Sequence, residues 1–481
     1  MQKWNVFFFN SLRGYIASIH TANRVYPEFF RSFFFFSASG IMLSGLWVIQ
    51  WFFSPTVFST PNPFVHTDAY VTSVYLPLAF GLATVLYGFV LQSFSRVAWR
   101  FFLIVGLLFS GFMFFMAIAT HPLHSEDAYW NLFYGKAFAI YHINPYITAP
   151  ASILPADPWI SSFSAWKEVL MVYGPLWTII ISSIVLMGKT LAGSLLVLKA
   201  LEVFLFACAG YILWRVMEMH EFSLEKKSKL MIFLAWNPFV LHAAVVDGHN
   251  DILILMAMLA SYYFFLKKDY HYSIISLVFG GFVKYLSLLA FPFPLFFLAI
   301  SHIPVREKFF KFGSVAVVSL LLLFSLYAPF GGLQQENFYG ASFMVTTPGS
   351  LWGSHQIVLG AIISAALRQF VSFGVFEIRI MGLIIGVVAI MYLIWKKNII
   401  GGYVYPYVFI FLFATPWFWP WYALWIFPLL AVMAPLSTVI FTSAFLMIAL
   451  GAFSTVHLSS IFLLGVFFYA IIRPNRALIK R

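Results

Sequence analysis

The chain has 481 residues, 62% of them hydrophobic and only 9% charged, with a mean hydropathy of +0.92. Soluble domains run about 45–50% apolar and about 25% charged, so a soluble multidomain enzyme, a disordered chain and a secreted disulfide scaffold are all excluded. A single cysteine, Cys208, forbids an intrachain disulfide. The net charge of +12 is accounted for by basic cytoplasmic loops and needs no nucleic-acid partner.

Residues 1–32 carry Lys3, Arg13, Arg24 and Arg31 among Trp4, Phe7, Phe8 and Phe9, without a signal peptide. That pattern predicts a cytoplasmic helix lying in the membrane interface. Segment 33–100 supplies two spans, 101–435 a membrane core with its largest outer loop at 120–171, and 436–481 the last spans and a basic tail. At about 20 residues per crossing, the apolar runs predict an all-α polytopic integral membrane protein with about 14 transmembrane helices. In this topology runs 172–188 and 356–373 do not span but are interfacial or re-entrant on the outer side. Run 272–302 is too long for one crossing and is expected to split near Phe291-Pro292-Phe293-Pro294. Both termini are then cytoplasmic, together with 21 of the 28 cations. Lys136, Lys167, Lys189, Lys199, Lys284, Arg368 and Arg379 remain for the outer half, where most carboxylates also fall.

Four segments carry candidate chemistry. The loop from His121 runs through His124, Ser125, Glu126 and Asp127 into a helical pattern over 128–141, then to Asn144-Pro145-Tyr146. Carboxylates suit a helix start for structural reasons alone. Adjacent ones point about 100° apart, so Glu126 and Asp127 do not form the facing pair of a glycoside hydrolase. Asn237-Pro238 leads to the short polar turn Asp247-Gly248-His249-Asn250-Asp251. Lys284 and Arg379 stand near the outer ends of apolar runs, where a cation calls for an anionic partner or snorkels to the interface. Lys284 has no carboxylate within four residues on its own helix, Glu377 is close to Arg379, and Lys199 and Glu202 read as a mutually neutralising pair. The aromatic run Trp417 to Trp425 reads either as an interfacial belt or as a wall for stacking a sugar or an isoprenoid tail. His121, His124, Asp127, His249 and Asp251 contain no metal-binding motif, and no cofactor is expected, though a divalent metal remains an alternative.

In order along the chain, Ser125-Glu126-Asp127, Asn144-Pro145-Tyr146, Tyr173-Gly174-Pro175-Leu176, Asn237-Pro238, Gly248-His249-Asn250-Asp251, Lys284 and Trp419-Pro420-Trp421-Tyr422 with Trp425 and Pro428 are similar to elements of one enzyme family. The pattern over 101–435 resembles the GT-C glycosyltransferases that use polyprenyl-phosphate sugars, closest to the polyprenol-phosphate-mannose-dependent α-mannosyltransferases of family 87. The single proline at Pro175, the spans before the first motif and the neighbouring Glu126 depart from the family pattern. The resemblance implies a GT-C fold and transfer of a hexose, most simply mannose, to a glycan or lipid-linked acceptor at the extracytoplasmic face. It implies Asp127 as the base, with Glu126 secondary. Lys284 and Arg379 would bind the donor phosphate, and Asn144, Tyr146, His249, Asn250, Asp251, Trp421 and Tyr422 the substrates. A phosphate leaving group needs cations rather than a general acid, and the acceptor hydroxyl needs one base, which suits a single inverting displacement. The alternatives are a transporter or lipid flippase, and a polymerase or ligase of lipid-linked glycans. Polar residues gathered at one face, and the lack of a second half mirroring the first, disfavour a transporter.

Overall fold

The computed structural model describes residues 27–53, 74–92, 99–153, 157–162, 166–338, 399–409 and 419–451, together with 384, 388, 391 and 392. Among them every regular element is helical, and no β-sheet is present. Among the described residues, three helices are long and apolar enough to cross a membrane by themselves: Phe30–Trp51, Leu191–Met219 and Val305–Phe330. Leu224–Ala235 and Pro238–Val246 form a further candidate, bent by 53°. The bend sits where Asn237 caps the second piece through the Val240 amide and Pro238 takes its first position, where a missing N–H costs nothing. Ser443 holds the other side of that cap, donating to Asn237 Oδ1 at 2.7 Å.

The described helices do not confirm the expected count of about 14 crossings, since several apolar runs lie outside the described residues and others form helices of 10–17 residues. Pro175–Gly188, in the run read as non-spanning, has 14 residues, which reach about 21 Å against a hydrocarbon core of about 30 Å. Run 272–302 does break, but earlier than the prolines suggest. Helix Tyr270–Gly281 ends at a glycine pair, Lys284 is extended at φ −150°, and a 3₁₀ turn over Tyr285–Ala290 leads into helix Pro292–Ile300. Two consecutive residues without side chains weaken the helix more than Pro292, which sits harmlessly in a first turn. The N-terminal interfacial helix expected over 1–32, the runs 356–373 and 457–472, and the basic tail lie wholly or mostly outside the described residues.

The interior is aromatic and polar at once. Trp236 stacks on Phe36 at 4.6 Å and donates to Gly106 O and Ser110 Oγ, both at 3.0 Å. Trp47 stacks on His242 at 4.7 Å, and Gln50 reaches the same imidazole at 2.9 Å. The first membrane helix is thus built into the core that carries the polar turn. Helix Leu76–Gln92 lies against helix Leu436–Gly451, with Ile448 and Ile440 seated directly on Gly81 and Gly88. Small residues let membrane helices approach closely, and van der Waals contact then replaces lipid. Lys199 and Glu202 are both buried but do not form the expected ion pair. Lys199 donates to main-chain carbonyls, and the Glu202 carboxyl oxygens have no hydrogen-bond partner.

Candidate active site

Helix Asp127–Ala139 begins at Glu126, whose side chain makes no capping hydrogen bond. Asp127, one residue on, turns inward and is 8% exposed. Trp130 Nε1 donates to its Oδ1 at 3.2 Å. The Tyr173 hydroxyl donates to Oδ2 at 3.4 Å, and His249 Nδ1 lies 3.5 Å from the same oxygen. Burial pushes the Asp127 pKa up, but the hydrogen bond and charge of His249, with hydrogen bonds from Trp130 and Ser125, hold it below the ordinary carboxylate value. Burial first, and then the charge of Asp127, raise the Tyr173 phenol well above its usual value, so it remains a donor to that carboxylate.

His249 comes from the polar turn between the bent helix pair and helix Asp251–Leu266. Gly248 makes that turn at φ +69°, a conformation side chains oppose, and a Cβ there would meet Ala128 at 2.9 Å. Asp247 fixes the turn to the other loop. It accepts the Leu123 and His124 amides at 2.9 and 3.0 Å and the His124 ring nitrogen at 3.0 Å. Burial raises its pKa, but the charge and hydrogen bonds of His124, with the charge of His249, lower it further, so it stays anionic. The His249 ring lies on Trp421 at 4.3 Å and 16°, and Trp421 lies on Trp419 at 4.8 Å and 7°.

Lys284 is 5% exposed and meets Asp251 from a different helix, at 3.1 Å to Oδ1 and 3.4 Å to Oδ2. Trp425 Nε1 also donates to Asp251 Oδ1. The lysine's partner thus lies not on its own helix but 33 residues away in sequence. Three rings surround the ammonium, with centroids at 4.4 Å (Tyr422), 5.1 Å (Tyr173) and 5.1 Å (Trp425). Tyr173 therefore faces Lys284 with its ring and Asp127 with its hydroxyl. Its placement is set by the next residue. Gly174 N donates to Val283 O at 2.9 Å and Leu176 N to Phe282 O at 3.0 Å, so Tyr173-Gly174-Pro175 runs directly beside the chain entering Lys284.

The site as assembled thus contains Asp127, His249, Asp251, Lys284, Trp421 and Tyr422 from the sequence-based set, with Tyr173, Trp130 and Trp425 added by the structure. Asn250 is buried beside His249, and neither polar atom of its side chain has a partner. Asn144 and Tyr146, expected to touch substrate, are occupied otherwise. Asn144 donates to Phe330 O and Asn337 Oδ1, both at 2.9 Å, and accepts the Tyr146 amide at 2.9 Å. The Tyr146 hydroxyl donates to Tyr173 O at 3.0 Å, so this residue supports Tyr173 from behind. Arg379 and Glu377 lie outside the described residues. Among the described residues no group of three or more His, Cys, Asp or Glu side chains could hold a metal ion. The five candidates separate into different pairs: His121 with Tyr129, His124 with Asp247, His249 with Asp127, and Asp251 with Lys284.

A family model described as alpha-(1->6)-mannopyranosyltransferase, N-terminal domain, matches residues 38–300, more than half of the chain. The chain belongs to that family. It is therefore a membrane glycosyltransferase that acts on mannose, with a sugar donor and a glycan acceptor as its substrates. The transporter reading falls with this membership. The matched region begins inside the first membrane helix and contains Asp127, Tyr173, His249, Asp251 and Lys284. The aromatic wall of Trp419, Trp421, Tyr422 and Trp425 lies beyond it. No curated protein and no solved structure matches the chain.

Proposed function

We propose that this mannosyltransferase moves mannose from a polyprenyl-phosphate donor to a hydroxyl of a glycan or glycolipid acceptor on the extracytoplasmic face, with inversion. The observation that carries the reading is the position of Tyr173, hydroxyl toward Asp127 and ring toward Lys284. One side chain separates a buried carboxylate from a buried cation. That separation suits a displacement in which the nucleophile and the leaving group stand on opposite sides of the sugar carbon.

The Asp127 carboxylate takes the proton of the acceptor hydroxyl as its oxygen bonds to the anomeric carbon. The bond from that carbon to the phosphate oxygen breaks, and its electron pair leaves on polyprenyl phosphate. Lys284 stabilises the growing phosphate charge, with Arg379 as the second cation of the sequence pattern. Asp251 holds the Lys284 ammonium before the donor arrives, and the lysine's remaining N–H groups serve the phosphate. An α product formed with inversion requires a β-linked donor. His249, Asn250, Trp421 and Tyr422 form the sugar side of the site, where Trp421, stacked between His249 and Trp419, fixes the His249 ring.

The test is incubation of the purified protein with radiolabelled polyprenyl-phosphate mannose and a mannose-bearing acceptor. Transfer of single mannose units is expected. Transfer of a whole glycan block, or none, overturns the reading. Asp127→Asn should abolish transfer while leaving donor binding intact, since the lost interaction belongs to the transition state. An inactive Glu126→Gln beside an active Asp127→Asn would reverse the assignment of the base.

A further inference from the structure

Helix Leu191–Met219 brings a lysine into the interior at a position the reaction does not use. Lys199 is 0% exposed. A cation in a transmembrane helix is costly and requires anions or aligned dipoles close by. Glu202, one turn on, lies near enough for its charge to be felt but makes no hydrogen bond with the ammonium. The ammonium donates instead to three main-chain carbonyls: Val246 at 2.8 Å, Ala117 at 3.4 Å, and Thr120. Three N–H groups on three carbonyls use the full donor capacity of a lysine.

The origin of those carbonyls matters. Ala117 stands in the last turn of helix Trp99–Ala119, Thr120 directly follows that helix, and Val246 ends the π-turn His242–Val246. Carbonyls at helix C-termini have no acceptor role left in their own helix and carry the negative end of its dipole, which suits a cation. These two chain ends lead into the site, Thr120 toward Asp127 and Val246 toward His249. Asp247 joins the same two segments a second time through Leu123 and His124. A Cβ at Gly248 would meet both Ala128 and Leu198, the neighbour of Lys199.

We propose that Lys199 is a positioning residue that sets the separation of Asp127 and His249 by gathering the ends of the two segments that deliver them. The proposal rests on Asp127 as the base. Without the ammonium, three carbonyls converge in an apolar interior with nothing between them, and the segments move apart. His249 is then withdrawn from Asp127. The other titratable groups beside Asp127 are Tyr173 across the site and Glu126 on its own helix, and neither replaces an imidazole donor. Burial, which raises the Asp127 pKa, is left unopposed by His249. The acid limb of the rate profile therefore moves to higher pH.

The experiment is Lys199→Met in lipid nanodiscs, assayed with polyprenyl-phosphate mannose. We expect kcat to fall at least about tenfold, the donor KM to stay within about twofold, and the acid limb to shift upward. A variant that only folds less well loses active enzyme without moving the limb. Unchanged kcat, or a lower kcat with an unmoved limb, overturns the proposal. Should Lys199→Met not fold, Lys199→Gln decides by the same readouts. If neither variant folds, Lys199 is a folding determinant and the positioning role is refuted. Hydrogen exchange adds a readout independent of the activity. Amides in 120–127 and 246–251 should exchange faster in the variant while those of 177–184 do not, and equal exchange overturns the proposal. If the wild-type protein transfers no mannose, the functional reading fails, and the exchange experiment still judges Lys199.

Discussion

Gly174→Ala tests whether the placement of Tyr173 governs catalysis. The backbone of Gly174 has an ordinary φ of −72°, so alanine is not excluded by conformation. It is excluded by proximity. A Cβ would stand 2.1 Å from Phe282 O and 2.5 Å from its carbonyl carbon. A comfortable carbon–oxygen approach is about 3.3 Å, so the two chains must separate by roughly 1.2 Å. The Gly174–Val283 and Leu176–Phe282 hydrogen bonds do not survive that movement. At about 0.5–1.5 kcal/mol each, their loss destabilises the protein by roughly 1–3 kcal/mol. The catalytic cost is comparable, because a 1 Å misplacement at a reacting centre lowers the rate by about 10²-fold, equivalent to about 2.7 kcal/mol. Tyr173 leaves Asp127 and Lys284 together, so both kcat and donor binding should fall. The assay is mannose transfer in nanodiscs, with Gly45→Ala and Gly111→Ala as controls, since a Cβ at either meets nothing within 4 Å. A Gly174→Ala enzyme with wild-type kcat and donor KM would refute the argument that this contact places Tyr173.

Lys284→Ala should weaken donor binding and slow transfer together, and should also destabilise the protein by leaving Asp251 buried without its cation, measured as a lower Tm. Asp251→Asn keeps the Trp425 contact but releases Lys284, so donor affinity should change while Asp127 chemistry persists, read as a donor KM change at constant acid limb. Because Asp127 is held below the usual carboxylate value, its protonation should remove activity only below about pH 3.9, the ordinary aspartate value. A limb that Asp127 titration places at pH 5–6 would contradict the contacts made by His249 and Trp130. Single cysteines in a Cys208→Ser background test sidedness: an impermeant reagent added to intact cells should label loops 120–171, 247–251 and 331–355, and labelling at 226 would invert the topology.

Composition alone made the fold class legible, since no soluble surface could cover a chain this apolar. Helix boundaries were less legible, and run 272–302 shows why. Hydropathy is blind to the glycine pair Gly280-Gly281, which ends the helix before either proline is reached. Helix Pro175–Gly188 is ended by Lys189 at φ +61°, well short of a crossing, in a run that sidedness rather than hydropathy marks as non-spanning. The pair Lys199 and Glu202 misled for a related reason. Their spacing puts them on one helix face, but the carbonyls that claim the lysine come from two distant segments that no local rule can see.

At the site, residue types were legible where the chemistry demands them and opaque where partners are remote. Asp127, the Gly248-to-Asp251 turn, Lys284 and the tryptophan run stood out as polar or aromatic residues that membrane helices do not otherwise need, and the fold brings them together. Their pairing was hidden in sequence. Asp251 meets Lys284, and Asn144 and Tyr146 bond to Phe330, Asn337 and Tyr173, partners that no spacing in the sequence announces. Tyr173 had a signal that can be used elsewhere. A tyrosine followed by Gly-Pro at the start of an apolar run marks a chain that must approach another backbone closely and then turn into a helix, which fixes the tyrosine's direction. Here the approach is to Phe282 and Val283, and the direction is between a carboxylate and a cation. Burying those two charges apart would be unfavourable; the ring keeps each near opposite or polarisable charge, His249 for one and three π-faces with Asp251 for the other. The site is thus held in two halves, one around the Asp127 carboxylate and one around the paired Lys284 and Asp251. A donor phosphate entering on the Lys284 side and an acceptor hydroxyl on the Asp127 side would each meet the half whose charge it needs, which is the arrangement an inverting transfer requires.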